Sequence, residues 1–158
     1  MRRSAAIGYA VVALSACHDT IKPARIGLLD VGEQTFAQAC PKPIVAKEKT
    51  VSNRYVTGAI DTIKTLACDG MEEDLYVSVH GSNPNGLVIR VAISKPTSSL
   101  PNHVNVGQTR EQIISALGAP SEASEQAITY YPEPGESSVT FFFDSGKVKS
   151  IVWNPYWD

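Results

Sequence analysis

The sequence predicts an α+β fold made of two helix-plus-antiparallel-sheet units in tandem, with the helices on one face of the sheet. Three observations lead to this prediction. A short helix signal appears near Gly32 and again near Gly107, and alternating apolar stretches typical of half-buried strands follow each one. A segment with two prolines, residues 96–105, separates the halves and indicates a linker. Helices that cover one sheet face give a common two-layer arrangement.

The first unit spans residues 27–95. Its opening helix signal ends at Pro41, because proline cannot continue a helix. Apolar residues spaced four apart predict a second helix over residues 52–67. The β-branched residues near its end leave open an extended conformation for residues 63–68. Alternation then predicts a hairpin of two strands, residues 75–79 and 87–93, joined by the turn "GSNPNG".

The second unit, residues 106–158, opens with "VGQTREQIISALGAP". Thr109 and Gln112 have the spacing of a capping box, which predicts the start of a helix. Gly118 and Pro120 predict its end. Three alternating stretches follow and predict strands at residues 128–131, 139–144 and 148–153.

The two units look like copies of one another. "VGEQTFAQACPKP" begins at residue 31 and "VGQTREQIISALGAP" at residue 106, an offset of 106 − 31 = 75 residues. Each stretch has Val-Gly, then Gln-Thr, then a short helix signal that stops at a proline. The alternative is two unrelated α+β stretches that share a similar start.

The N-terminus carries the marks of export. Arg2 and Arg3 precede an apolar run over residues 5–14, which is shorter than the ~20 residues that cross a bilayer. This pattern predicts a secretory signal peptide over residues 1–16. The run ends in Leu-Ser-Ala followed by Cys17, which resembles the lipobox of bacterial lipoproteins.

The lipobox resemblance implies cleavage before Cys17 and lipidation of that residue. In such lipoproteins His18, rather than an aspartate, implies transport to the outer membrane. Residues 17–26 would then be a lipidated tether, and the domain would lie on the periplasmic side of the bacterial outer membrane. The alternative is an ordinary signal peptide cut nearby.

Charge and residue types restrict the function further. Without Arg2 and Arg3 the chain keeps 14 − 2 = 12 basic side chains against 16 acidic ones, a net charge of 12 − 16 = −4. This acidic balance argues against nucleic acid as a partner. No catalytic motif, metal-ligand set or cofactor loop stands out, so we expect a protein without enzymatic activity, metal or cofactor. Cys40 and Cys68 are an even pair in an oxidising compartment, which predicts a disulfide.

Two known families share the pattern of the second unit. "VGQTREQIISALGAP" followed by the strand–turn–strand "VTFFFDSGKVKSIVW" resembles the BamE (SmpA/OmlA) outer-membrane lipoprotein domain. Two such units in tandem resemble the architecture of β-lactamase inhibitory protein (BLIP). The first resemblance implies an accessory role in outer-membrane β-barrel assembly, and the second implies inhibition of a partner enzyme.

The function we expect is protein binding, because an open sheet face rich in aromatic residues and arginine is typical of interface hot spots. The favoured hypothesis is an inhibitor or immunity protein that occludes a periplasmic enzyme or toxin through that face and its loops. The alternative is the assembly role that the BamE resemblance implies. The residues expected to bind the partner are Tyr76, His80, Arg90, Tyr131, Phe142 and Trp153.

Overall fold

The computed structural model describes residues 32–100, 104–131 and 137–155. The predicted signal peptide and lipidation site, Cys17, lie outside these ranges. Two short helices, α1 (Gly32–Ala39) and α2 (Arg110–Leu117), accompany eight strands. The strands are β1 (Ile44–Ser52), β2 (Ile60–Cys68), β3 (Met71–Val77), β4 (Leu87–Ile93), β5 (Glu122–Ala123), β6 (Ala127–Tyr130), β7 (Ser138–Asp144) and β8 (Lys147–Asn154).

All eight strands form one antiparallel sheet in the order β1-β2-β3-β4-β8-β7-β6-β5. The predicted fold of two helix-plus-sheet units in tandem is therefore wrong, because the described residues form mostly a single continuous sheet with two small helices. The junction is the pairing of β4 with β8, where Val91 lies opposite Trp153 and Ile93 opposite Ile151. Long-range pairing of this kind leaves no mark in a local sequence pattern.

The core lies on one face of this sheet, against which both helices pack. Phe36 comes from α1, and Ile113 and Leu117 come from α2. The rings of Tyr130 and Phe141 meet edge to face with centroids 5.9 Å apart. Strands β3, β4, β6, β7 and β8 supply most of the remaining buried side chains, which are Met71, Val91, Ile93, Ile128, Val139, Val148, Ile151 and Trp153.

The two Val-Gly motifs do not play equivalent structural roles. Gly32 begins α1 against the side chain of Trp153, and a Cβ added there would lie 2.6 Å from Trp153 Cγ. Gly107 instead occupies a turn with a φ of +91°, and an added Cβ would meet nothing within 4 Å. The first glycine is needed for close packing, and the second for a backbone conformation that other residues rarely adopt.

The helix predicted over residues 52–67 is absent, and the alternative extended conformation is found near its end. β2 pairs with β1 on one side and β3 on the other, so both of its edges form ladder hydrogen bonds. The β-branched residues of this stretch suit a strand better than a helix. The preceding lysine-rich segment forms β1, and residues 53–59 form the loop that connects the two strands.

A disulfide joins Cys40, just after α1, to Cys68 at the end of β2, with Cα atoms 6.0 Å apart. This is the pair that the sequence predicts. An eight-residue helix is too short to be stable alone in water, so α1 depends on this bond and on its core contacts.

The predicted capping box at the start of α2 is confirmed. The Thr109 hydroxyl accepts a hydrogen bond from the Gln112 backbone N–H, and the Thr109 N–H donates to the Gln112 side chain at 2.9 Å. At the other end, the Tyr130 hydroxyl donates to the Gly118 carbonyl at 3.0 Å. These bonds fix α2 over the second half of the sheet.

Candidate protein-binding site

Two loops meet at the end of the sheet that lies furthest from α1. The first connects β1 to β2, and the second connects β3 to β4. They are neighbours because Thr62, near the start of β2, pairs with Val77 at the end of β3. We call the surface that these loops form the tip.

The first loop has a fixed shape that depends on Asn53. Its side-chain oxygen accepts hydrogen bonds from the backbone N–H groups of Tyr55 and Val56, at 2.7 and 2.6 Å. The Asn53 N–H donates to the Ala59 carbonyl at 2.9 Å and closes the loop. Asparagine is favoured in such turns because its short side chain can replace a backbone partner. The result is a loop that presents the Tyr55 ring outward.

The second loop is held in the same way by Asn83. Its side-chain nitrogen donates to the Gly86 carbonyl at 2.6 Å, and its oxygen accepts from the Asn85 N–H at 3.0 Å. Gly86 has a φ of +83°, and a Cβ added there would lie 3.0 Å from the Tyr76 carbonyl oxygen. Only glycine therefore fits this position without displacing its neighbours.

Asp61 connects the two loops from beneath. Its carboxylate is fully buried and accepts hydrogen bonds from the Tyr76 hydroxyl, the Asn53 side-chain nitrogen at 2.7 Å and the Val79 N–H at 3.0 Å. Asn53 belongs to the first loop, Val79 to the second, and Tyr76 to β3. One buried carboxylate thus joins both loops to the sheet.

The Asp61–Tyr76 hydrogen bond changes the acidity of both groups. It holds the pKa of Asp61 below its ordinary value of 3.8, with smaller contributions from the Val79 N–H and the other donors, although burial opposes the shift. The same hydrogen bond raises the pKa of Tyr76 above its ordinary value of 10.0, and burial adds to this effect. At neutral pH the pair is therefore a carboxylate and a neutral phenol.

A pocket of about 290 Å³ opens between the loops above this pair. Aromatic and aliphatic side chains line the pocket together with several polar ones. Its lining residues are Asn53, Arg54, Tyr55, Val56, Tyr76, Ser78, His80, Gly81 and Leu87.

The tip also concentrates exposed apolar surface. Tyr55 is 74% exposed and Val79 is 66% exposed. Of the eight large hydrophobic side chains that are exposed in the described ranges, five lie in or beside the two loops: Tyr55, Val56, Ile60, Val79 and Leu87. Single exposed apolar residues are ordinary, but a cluster of them around a pocket marks an interaction site.

A β-bulge brings Leu87 to the pocket. β3 and β4 pair regularly up to Asp74 and Arg90, and the next pair joins Leu75 to Val88, so that Ile89 is the extra residue. The extra residue shifts which side chains share a face. Leu87 consequently pairs with Tyr76 on the face away from the core, instead of facing the core together with Val91 and Ile93.

The structure distributes the sequence-predicted partner residues over several places. Tyr76 and His80 meet in the tip pocket. Arg90 lies on the face opposite the core, where Glu72 and Asp74 each approach it at 3.3 Å. Phe142 lies on the same face but three strands away from β3, and it is 42% exposed.

The other two predicted residues are less available to a partner. The Tyr131 hydroxyl donates to the Glu122 carboxylate at 3.1 Å, beside the short edge strand β5. Trp153 is 2% exposed and belongs to the core under α1. It is therefore a packing residue and not part of the open face. The predicted face is thus divided, and only Tyr76 and His80 are brought together.

Several tip residues escaped the sequence analysis because they fall within the stretch that was predicted to be a helix. Asn53, Asp61 and the residues between them look like a capped amphipathic helix when only apolar spacing is considered. The signal that favours a loop is Gly58, which has a φ of +81° and follows the polar turn residues Ser52 and Asn53.

A second groove of about 660 Å³ lies in the second half of the chain, beside the turn between β7 and β8. The Arg110 guanidinium stacks 4.4 Å from the Phe143 ring centre and donates to the Glu125 carbonyl at 2.7 Å. The groove is lined by two basic and two acidic side chains, namely Arg110, Lys149, Glu125 and Asp144. Because its arginine is already engaged and its lining is mixed in charge, this groove is the weaker candidate.

The chain matches no known protein family, no curated protein and no solved structure. The BamE resemblance therefore rests on the sequence motifs alone and stays a prediction, whereas the tandem arrangement behind the BLIP resemblance is the one that the single sheet contradicts. Within the described ranges no three His, Cys, Asp or Glu residues are grouped so that they could hold a metal ion. Neither described helix has the length and apolarity to span a membrane.

Proposed function

We propose that this protein is a lipid-anchored periplasmic binding module that inhibits a partner enzyme or toxin by placing its tip in the partner's cleft. The observation that carries this proposal is the pocket at the tip, which three exposed apolar side chains line, namely Tyr55, Val56 and Leu87. Aromatic and aliphatic anchors around a pocket are what the energetically dominant part of a protein interface contains.

The fixed shape of the tip supports the same function. The side chains of Asn53 and Asn83 each hydrogen-bond to the backbone of the loop that contains them. Asp61 joins the two loops to the sheet. Loops that are ordered before binding lose little conformational entropy when a partner arrives. A tip held in this way suits tight occlusion of a cleft better than adaptive wrapping around a partner.

The sequence supports the proposed location of the protein and, through its net charge, the kind of partner. The signal peptide and the lipobox resemblance around Cys17 support a tether on the periplasmic side of the outer membrane. The net charge of −4 for the exported chain, from 12 basic and 16 acidic side chains, favours a basic partner. Such complementarity acts mainly on the rate of association.

The test is capture from periplasmic and envelope extracts with immobilised protein that begins at residue 18. We expect it to recover a hydrolase or toxin whose activity falls when the captured protein is mixed with it. The combined change Tyr55→Ala and Leu87→Ala should raise the dissociation constant at least about 30-fold, as for loss of hot-spot residues.

The matched control is Phe142→Ala, which removes an apolar side chain about as exposed as Leu87 from the sheet face far from the tip. It should leave binding and inhibition unchanged, with circular dichroism showing that both variants fold. Equal binding by all three proteins would exclude the tip as the binding site. Recovery of the outer-membrane assembly complex without any inhibited enzyme would replace the inhibitor hypothesis with the BamE-like accessory role.

A further inference from the structure

β1 is the first strand of the sheet and, among the described residues, pairs only with β2. Alternate residues of such an edge strand point their N–H and C=O groups outward, where they can pair with another chain. β1 is nine residues long, and none of its side chains is buried. The opposite edge, β5, has only two residues. The β5 edge is therefore short, whereas the β1 edge has a long row of main-chain groups that can pair with another strand.

Core packing does not account for β1. The strand contains the β-branched residues Ile44, Val45, Thr50 and Val51, yet its first two residues are 69% and 56% exposed. A long regular strand that buries no side chain loses conformational entropy for little apolar burial. What it does provide is a straight segment, residues 47–52, that follows the bulge near Ala46 and pairs with β2 without interruption.

The charges on β1 are divided between the two sheet faces. Lys47 and Lys49 lie opposite Thr65 and Ile63, on the face away from the core. Glu48 lies on the other face, where its carboxylate is 3.5 Å from the Lys64 amine. A chain that adds to this edge therefore meets two lysines on one side and an ion pair on the other.

These lysines disfavour a second copy of this protein as the occupant. Residues that face each other across an antiparallel ladder share a sheet face, so two β1 strands overlapping at their centres would bring Lys47 and Lys49 against the same lysines. Lysines on an edge are a known protection against such self-pairing. An extended segment with acidic residues at alternate positions would instead form opposite-charge pairs.

We propose that the β1 edge binds an extended acidic segment of a partner protein as a ninth strand of the sheet. Its main-chain groups would pair with the outward groups of residues 47–52, and alternate carboxylates would lie beside Lys47 and Lys49. This site is separate from the tip pocket and does not depend on the inhibitor function.

The test uses two capped heptapeptides added to the protein that begins at residue 18. One is Thr-Val-Glu-Thr-Glu-Val-Thr, and the other has lysine in place of both glutamates. We expect the acidic peptide to slow amide exchange in β1, to shift the β1 resonances in NMR spectra, and to bind about tenfold more tightly than the basic peptide. The preference should shrink at about 1 M salt, where the screening length is only about 3 Å.

Charge reversal supplies the matched variants. The double change Lys47→Glu and Lys49→Glu should invert the peptide preference, whereas Lys149→Glu, an exposed lysine on β8, should leave it unchanged. The Tyr55→Ala and Leu87→Ala protein should bind the peptide normally, which separates this site from the tip. Absence of acidic-peptide binding, binding without protection of β1, or a β1-mediated dimer in ultracentrifugation would each overturn the proposal.

Discussion

At the scale of single residues, Asp61 is the group on which the tip depends most. A buried carboxylate is stable only when its oxygens are hydrogen-bonded, and Asp61 has partners from both loops and from β3. No local pattern in the sequence shows this role, because Tyr76 and Val79 approach Asp61 only after β2 and β3 have paired. The sequence could identify Tyr76 as a surface aromatic residue, but not what its hydroxyl contacts.

The Asp61–Tyr76 hydrogen bond should make the folded protein less stable both at acidic and at alkaline pH. The pKa of Asp61 is lowered in the folded protein, so its contribution is complete above its ordinary value of 3.8 and is lost as pH falls through the folded pKa. The pKa of Tyr76 is raised, so its contribution is complete below 10.0 and is lost as pH rises through the folded pKa. We expect Tyr76→Phe to lower the melting temperature by about 5 °C at neutral pH.

The measurement is thermal unfolding of wild type and Tyr76→Phe between about pH 2.5 and 9, where the difference should shrink below about pH 4. The control is Tyr130→Phe, which removes a hydroxyl that donates to the neutral Gly118 carbonyl. Its effect should not follow the titration of a carboxylate in this way. A Tyr76→Phe effect that stays constant down to the lowest pH would contradict the assigned role of Asp61.

At the scale of secondary structure, the sequence predicts the later hairpins and the capped helix well, and the first two strands poorly. The hairpins that contain β3–β4 and β7–β8 follow from their alternation, and α2 follows from its capping box. Apolar spacing predicts a helix where β2 forms, the β-branched residues leave open an extended conformation for residues 63–68, and pairing on both edges decides for the strand. The bulge at Ile89 also has no sequence signal, although it determines the direction of Leu87.

The element most open to a direct test is α1. The disulfide closes a loop of 28 residues, and the chain-entropy relation for such a loop gives about 3.6 kcal/mol of stabilisation. We expect the double change Cys40→Ala and Cys68→Ala to reduce the free energy of unfolding by about this amount in urea titrations. A reducing agent should have a similar effect on the wild type and none on the variant.

Hydrogen exchange should show where the bond acts. The amides of α1 should lose protection first in the variant, because Cys40 directly follows this short helix and the disulfide is its covalent link to β2. The amides of α2, which has its own cap and no link to the disulfide, serve as the internal control. Equal loss of protection in both helices would mean that the bond stabilises the whole fold uniformly.

At the scale of the whole molecule, burial is unevenly distributed along the sheet. The side chains buried most completely lie in β4 and in β6, β7 and β8, whereas β1 buries none. Local opening follows such differences, since strands with few buried contacts separate at low cost. We expect β1 amides to exchange at least about a hundredfold faster than those of β7 in native-state experiments, while both strands become equally accessible on global unfolding.

Mass spectrometry of peptic fragments can measure this gradient. The strand β5 is a useful comparison because it also lies at an edge but belongs to the well-packed half. If β1 exchanged as slowly as β7, the first half would be stabilised by something other than buried side chains. The gradient bears on the β1 proposal, since a peptide that binds as a ninth strand would protect the least protected part of the sheet.

The whole-molecule arrangement was the least predictable from the sequence. Local patterns indicate the two short helices and the later hairpins, but they give a helix where β2 forms and do not show which strands meet between the halves. Three residue pairs between β4 and β8 turn two sets of strands into one sheet. Trp153 was expected at a surface because aromatic residues cluster near the C-terminus, yet that same junction places it in the core.

The contact between Gly32 and Trp153 has a consequence for how the chain acquires its shape during synthesis. The first helix rests on the last strand, and β8 is also the strand that joins β4 to β7. The first half therefore cannot complete its packing while the chain is still emerging from the ribosome. Its apolar segments stay exposed until nearly the entire polypeptide has been made. Folding of the first half is therefore completed only after the final strand has been made.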